Sequence, residues 1–347
     1  MESLIIGSLS AIAIGIATEA ATGAISGAVR ELRRAANRRK RFEFDVREDG
    51  LFPLGEWSPA RQLEPHRLLT DTLPMSERPE QEWINPTVLA AAVAECAEQS
   101  SGEILYFAGF RLDYRESDDT QYCKVRQAES RYPEVLAVER LRIRRPELFK
   151  ACDEAIERDI KQYLFSPVPS SVAVNLVVVS SDGSELLSVE RSAATDSAAG
   201  WWTVGVFETM KRSDPNRPGS PESLYGLAAR GLNEELGLNQ NDYGKIVISW
   251  VGLLRPILRG HVVAIVQLKI SREDAFARLR AAHSSYEHSA IDWLPLHPRI
   301  VRSFIRANRQ TNPGRVGSTI RINQRIWIEQ SRLAVLEAWR FRMALND

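Results

Sequence analysis

The sequence predicts an α/β (α+β) protein in three parts. These are a membrane-type helix with a basic flank over residues 1–41, a mixed, mainly helical connecting region over 42–165, and an α/β/α sandwich with C-terminal helices over 166–347. Three observations predict it. Leu4 to Val29 carries one charge, Glu19, in an otherwise apolar and small-residue run. From Val172 onward, β-branched runs of strand length alternate with stretches of helical period. Between them lies Glu222–Leu238, ESLYGLAARGLNEELGL, a dense acidic helix pattern closed by a glycine.

At about 1.5 Å per residue, a helix over Leu4–Val29 is about 39 Å long, enough for a bilayer core of about 30 Å. Gly7, Ala11, Gly15, Glu19, Gly23 and Gly27 recur every four residues as a small-residue stripe, which lets membrane helices approach closely. Ile5, Leu9, Ile12 and Ile16 fall on another face. Glu19 lies on the stripe, where a carboxylate faces partner helices rather than lipid, which points to self-assembly, a homo-oligomer. The basic run Arg30–Arg41 follows, so the bulk of the chain is expected on the cytoplasmic side of the membrane. Met1-Glu2-Ser3 carries no positive charge, which does not suit a secretory signal.

Residues 42–86 are spaced by prolines and carry Phe42, Phe44, Phe52, Trp57 and Trp83, so they are expected to pack on a domain. Asn85 and Pro86 open a helix to Gln99 as N-cap and N1. Glu103–Tyr114 reads as a strand, then Glu134–Arg144 and Pro146–Phe165 as helices. Arg140, Arg142, Arg144 and Arg145 crowd together there, as a solvated helical face or as phosphate contacts.

The C-terminal half reads as strand Val172–Val179, a turn at Asp182-Gly183, and strand Leu186–Glu190. Strand Trp201–Phe207 precedes the acidic helix. Strands Ile246–Leu254 and His261–Ile270 follow, with Arg255-Pro256 and Arg259-Gly260 at the bend. Then come helix Ser271–Ala282, strand Ala290–Leu296, and two helices, Arg299–Arg309 and Ile322–Leu345, with Pro313–Gly317 between them. The net charge of zero says nothing about partners, and Cys96, Cys123 and Cys152 make no disulfide or zinc pattern.

The acidic helix closely resembles the Nudix box, G-x5-E-x7-R-E-U-x-E-E-x-G-U with U aliphatic. Glu222, Arg230, Leu232, Glu234, Glu235, Gly237 and Leu238 match; Gly231 stands where the family has Glu. The box glycine is matched by Gly205, with Glu208 three residues on, if the basic, turn-rich segment up to Pro221 contains an insertion. On a helix, residues three and four apart share a face, so 231, 234 and 235 line one side. The resemblance implies a Nudix-like α/β/α sandwich whose carboxylates hold Mg²⁺ against a pyrophosphate. Glu234 and Glu235 are then vestigial or weak metal ligands, and with Glu222 they are the catalytic set if any activity remains. Glu287 sits where some members supply a further ligand. Without a carboxylate at 231, the resemblance implies binding rather than hydrolysis.

A membrane-type N-terminus joined to this divergent box resembles the SMODS-associated NUDIX, or transmembrane-NUDIX, effectors of CBASS anti-phage systems. That implies an antiviral effector that binds a cyclic oligonucleotide, self-assembles and disrupts membrane lipid, needing no cofactor and binding no nucleic-acid polymer. Candidate ligand contacts are Arg212, Arg217, Arg255 and Arg259 for phosphate, with Trp201, Trp202 and Phe207 for stacking. The alternative is a membrane-tethered hydrolase of ADP-ribose, NAD or another nucleoside diphosphate derivative.

Overall fold

In the computed structural model, residues 51–56, 68–73, 83–97, 105–117, 120–160, 168–193, 198–211, 222–282, 285–311 and 318–345 are described. The N-terminal segment, with Gly7, Ala11, Gly15, Glu19, Gly23 and Gly27, lies outside them, as do Arg212 and Arg217. Among the described residues no helix is long and apolar enough to cross a membrane.

The connecting region holds β1 (Leu51–Glu56), β2 (Leu68–Leu73), α1 (Pro86–Ala97), β3 (Leu105–Ser117), β4 (Thr120–Arg131), α2 (Tyr132–Arg144) and, after a short 3-10 turn, α3 (Lys150–Arg158). Asn85 caps α1 by accepting from Thr87 N at 2.9 Å. The mainly helical reading is corrected here: β3 and β4 form an antiparallel hairpin, β2 joins β4 in parallel, and this small sheet is as prominent as the helices. The second strand was missed because TQYCKVRQAESR carries charges on both faces and little apolar alternation. The arginine crowd is largely committed within the protein. Arg142 donates to Asp153 at 2.5 Å and to Pro256 O at 3.0 Å, while Arg140 reaches Cys96 Sγ at 3.6 Å. Arg144 and Arg145 pair with Glu95 and Glu147 on the surface.

The larger sheet is built from β5 (Val172–Val179), β6 (Glu185–Arg191), β7 (Trp202–Val204), β8 (Val206–Thr209), β9 (Val247–Leu254), β10 (Arg259–Gln267), β11 (His288–Pro295), β12 (Arg309–Thr311), β13 (Ser318–Ile322) and β14 (Arg325–Ile328). Its order is β1-β9-β10-β5-β6-β7-β14-β13-β12, with β8 also on β5 and β11 on β6. The pairing of β5 with β10 is parallel, so β5 is buried on both faces and reads as a continuous apolar run. Helices α4 (Leu224–Leu236), α5 (Arg272–Ala281), α6 (Pro298–Arg306) and α7 (Ser331–Leu345) complete the unit. The result is a mixed α/β arrangement.

Alternation on β5 divides the core. Val172, Val174, Leu176 and Val178 pack with Leu224, Leu227, Leu232 and Leu236 of α4. Ala173, Asn175 and Val177 point to the other face, where α7 packs against β5, β7 and β10. The helix expected from Ile322 begins only at Ser331. Asn323 and Gln324 have φ of 50° and 67°, the pair of positive values that closes a two-residue hairpin between β13 and β14. Ile320 and Trp327 face each other across it in the core.

Candidate functional site

The acidic helix is framed by two glycines in the left-handed region, where a side chain would be strained. Gly205 separates β7 from β8 at φ 73°, and a Cβ there would lie 2.1 Å from Leu176 O. Gly237 ends α4 at φ 65° in the left-handed conformation, with its N–H bonded to Asn233 O and Leu232 O. Ser223 caps the start, accepting from Gly226 N at 2.9 Å. These backbone bonds fix the face that carries Arg230, Gly231, Glu234 and Glu235.

Arg230 is the hub of that face. Its Nε donates to Glu222 at 2.7 Å, and Nη2 to the same carboxylate at 3.1 Å and to Thr209 O at 2.7 Å. Nη1 reaches Glu208 and Glu234, both at 2.9 Å. A guanidinium has five N–H donors, and this set uses all of them. Burial works against the Arg230 charge, but the bonds to Glu222 and Glu208 outweigh it and raise its pKa further. Glu222 is fully buried, and burial pushes its carboxyl upward against the pull of Arg230 and the Lys211 N–H. Glu234 is held below the usual carboxylate range: its burial is outweighed by Arg230 and Lys211, whose Nζ lies 3.2 Å away.

Position 231 is closed as well as uncharged. A Cβ on Gly231 would stand 2.6 Å from Leu176 Cδ1 and 2.8 Å from Glu208 Cβ. The space from which the family carboxylate would leave the helix is filled by β8, whose own Glu208 is bound to Arg230. Mg²⁺ takes its protein ligands from free carboxylate oxygens. Here Glu208, Glu222 and Glu234 are each drawn to Arg230, and Glu234 also to Lys211. Among the described residues no three His, Cys, Asp or Glu side chains converge so as to hold a metal ion. The donor set as arranged does not fit the metal that the resemblance implies.

Glu235 faces a separate group. It is buried, with Oε2 3.8 Å from Nε2 of His288. His288 pairs across the strands with Arg191. Burial, then the Arg191 charge, lowers the His288 pKa to about 4, so its ring is neutral near pH 7. Burial also lowers the pKa of Arg191, against the attraction of Glu287 and Glu235.

On the opposite face of the sheet lies a group that the sequence reading missed, apart from Phe207. Asn175, Trp250 and His261 are each at most 1 % exposed. Both amide atoms of Asn175, Nε1 of Trp250 and Nε2 of His261 have no hydrogen-bond partner. The His261 ring sits 5.9 Å from Phe207 and 5.8 Å from Trp250, centroid to centroid. Burial, then Arg259, lowers the His261 pKa to about 3, so it too is neutral. Register places these residues together: Phe207 lies across from Asn175, Val263 across from both Asn175 and Trp250, and His261 two residues before Val263 on the same face of β10. A lone Asn within the apolar run VAVNLVVV was the available signal, since a buried amide without a partner costs about 1–3 kcal/mol.

The remaining expected contacts are dispersed. Trp202 packs on Trp327 at 5.8 Å, with the Arg325 guanidinium 3.8 Å above its ring, and Trp201 is buried beside it in sequence. Arg255 pairs with Glu157, and Arg259 with Glu139 at 2.5 Å, so both tie the β9–β10 bend to the connecting region. Of the five expected ligand contacts among the described residues, Trp201, Trp202, Phe207, Arg255 and Arg259, only Phe207 joins the group around His261.

No protein-family model matches the chain, and no curated protein matches it. Among solved structures it is similar to DR0079 from Deinococcus radiodurans, at 12% identity and a TM-score of 0.30 over 49% of this chain and 83% of that one. It is similar to the NUDIX domain of Shewanella oneidensis NrtR complexed with ADP ribose, at 15% identity and a TM-score of 0.26 over 55% and 97%. A MutT/nudix family protein from Enterococcus faecalis is similar at 11% identity and a TM-score of 0.25 over 57% and 75%.

Proposed function

We propose that the domain is a nucleotide sensor that binds without cleaving, and that its ligand is a cyclic oligonucleotide whose binding drives self-assembly and membrane disruption in anti-phage defence. The observation that carries this reading is the closure of position 231 against Glu208 and Leu176. With it, Glu208, Glu222 and Glu234 are bound to Arg230, and Glu235 faces His288. A cyclic oligonucleotide has phosphodiesters but no pyrophosphate, so a site without hydrolytic metal chemistry suits it.

The group around His261 supplies what a base needs. Asn175 offers a donor and an acceptor, Trp250 a donor, neutral His261 one further polar edge, and Phe207 a ring face. Stacking on an aromatic ring is worth about 1–3 kcal/mol per base. These side chains are closed over in the free protein, so binding requires the covering elements to yield. The route outward is short. Strand β1 pairs with β9 so that Glu56 lies across from Trp250, and β1 is the first described strand after the basic flank. Its ladder is interrupted between Pro53 and Gly55, and Pro at an edge strand donates no ladder bond. A shift at Trp250 is therefore passed to β1, an edge strand with one break in its ladder.

The test is titration calorimetry of the full chain in detergent with cyclic di- and trinucleotides, with sedimentation of each mixture. The proposal expects one cyclic oligonucleotide to bind and to shift the chain to a larger assembly. If none binds while ADP-ribose or NAD is consumed, the chain is a hydrolase and the proposal fails.

A further inference from the structure

Between Trp293 and Ile328 the chain has seven arginines and no Asp or Glu. Two of them are neutralised from outside this stretch: Arg325 by Asp292 at 2.6 Å and Arg309 by Glu329 at 3.0 Å. Arg299, Arg302 and Arg306 on α6 are different. Their spacing of three and four puts them on one face, opposite the fully buried Val301 and Phe304. No carboxylate among the described residues lies within ion-pair distance of them. The one hydrogen bond among their guanidinium groups runs from Arg302 Nε to Pro298 O at 3.1 Å. Arg299 and Arg306 are exposed, and Arg302 is half-buried.

This basic face adjoins an apolar one. Arg342 of α7 donates to Leu296 O at the entrance to α6. The last turn of α7 exposes Met343 and Leu345, at 43% and 56%. Among the described residues the other exposed large apolar side chains are Ile143 and Tyr286, so half of that set sits at this end of α7. A nucleic acid would meet the arginines but leave Met343 and Leu345 in water. An anionic leaflet meets both, with headgroups at the guanidinium groups and the acyl boundary at the apolar side chains. The same chain carries the apolar run Leu4–Val29 followed by the basic run Arg30–Arg41, which argues for lipid as the occupant.

We infer that α6 and the end of α7 form a second, peripheral docking face for an anionic lipid surface. It is independent of the nucleotide reading, and the test contains no nucleotide. Full-length protein is mixed with phosphatidylcholine vesicles and with vesicles that also contain phosphatidylserine. Partition is measured by flotation, and hydrogen exchange is followed over Pro298–Arg306. The expected result is partition enhanced by phosphatidylserine, with slowed exchange on α6. The variant R299Q/R302Q/R306Q loses roughly a hundredfold of that enhancement, and R299K/R302K/R306K keeps most of it. Thermal melts of both variants check the fold, and M343S/L345S, which leaves every arginine in place, is expected to lower partition as well. Equal enhancement in wild type and the glutamine variant overturns the inference. Unchanged exchange on α6 overturns it too, because lipid is then met elsewhere. Displacement of the vesicles by duplex DNA at the same ionic strength identifies a nucleic-acid surface and also overturns it.

Discussion

Replacing Gly231 by alanine separates a closed position from an open one by the sign of the effect. On an open helix face, Gly→Ala stabilises by about 1 kcal/mol. Here the new Cβ would sit 2.8 Å from Glu208 Cβ and 2.6 Å from Leu176 Cδ1. The leucine methyl can rotate away. The Glu208 Cβ cannot move without moving β8, which is paired to β5 along its length. Overpacking of this kind costs about 1–3 kcal/mol, so the expected net effect is a loss of up to about 2 kcal/mol. Gly231→Glu restores the family residue but adds a fourth carboxylate beside Glu208, Glu222 and Glu234, so it destabilises more and restores no hydrolysis. The assay is urea unfolding with and without Mg²⁺, plus product analysis with ADP-ribose. Gly231→Ala made in a Glu208→Gly background, where the fixed Cβ is gone, is expected to cost less stability than in wild type. A Gly231→Ala protein more stable than wild type would refute the closed-site argument, as would Mg²⁺-dependent turnover by Gly231→Glu.

Four further outcomes are expected. Arg230→Met leaves Glu208 and the fully buried Glu222 without their guanidinium partner, and costs about 3–5 kcal/mol in chemical unfolding. Asn175→Val, which removes a buried amide with no partner, leaves the free protein as stable or more stable in thermal melts and abolishes nucleotide-dependent stabilisation. His261 and His288 have folded pKa values lowered to about 3 and about 4, so the unfolded chain takes up protons first as pH falls. Their contribution is intact above about pH 6.5 and is lost progressively as pH falls toward about 4 for His288 and about 3 for His261. At about 1.4 kcal/mol per pKa unit, each accounts for roughly 3 to 5 kcal/mol at most, and His261→Phe should flatten the acid limb of a melting-temperature profile. Finally, Glu139→Ala frees Arg259 from its 2.5 Å pair and loosens the β9–β10 bend, raising amide exchange there without changing the helix content seen by circular dichroism.

The C-terminal half was legible because its signals are local. Val172–Val179 matches the observed strand to the residue, and the cap residues Ser223 and Gly237 bound α4 as their chemistry demands. Gly205 and Glu208 were found as a glycine with a glutamate three residues on, allowing an insertion before Glu222, and the structure brings Glu208 to Arg230 as the third carboxylate. Other features depended on distant partners. That Gly231 is closed follows from where Leu176 and Glu208 pack, which no spacing along α4 reveals. The group around His261 joins residues from β5, β8, β9 and β10, and only the odd Asn in an apolar run hinted at it. Arg255 and Arg259 read as free cations at a bend, but Glu157 and Glu139, about a hundred residues earlier, claim them. The hairpin at Asn323-Gln324 looked helical because RINQRIWIEQSRLAVLEAW has apolar residues at both periods; two left-handed residues decide it.

The most direct measurement of the central claim is a thermal-shift screen of the full chain against cyclic oligonucleotides, ADP-ribose and NAD, with and without Mg²⁺, each sample then analysed for product. A ligand at a hundred times its dissociation constant adds about 2.7 kcal/mol, which is readily seen. The account predicts stabilisation by one cyclic oligonucleotide that is the same with Mg²⁺ or with chelator, and no product in any sample. Mg²⁺-dependent consumption of ADP-ribose or NAD would contradict it, because the carboxylates around Arg230 would then be holding a metal.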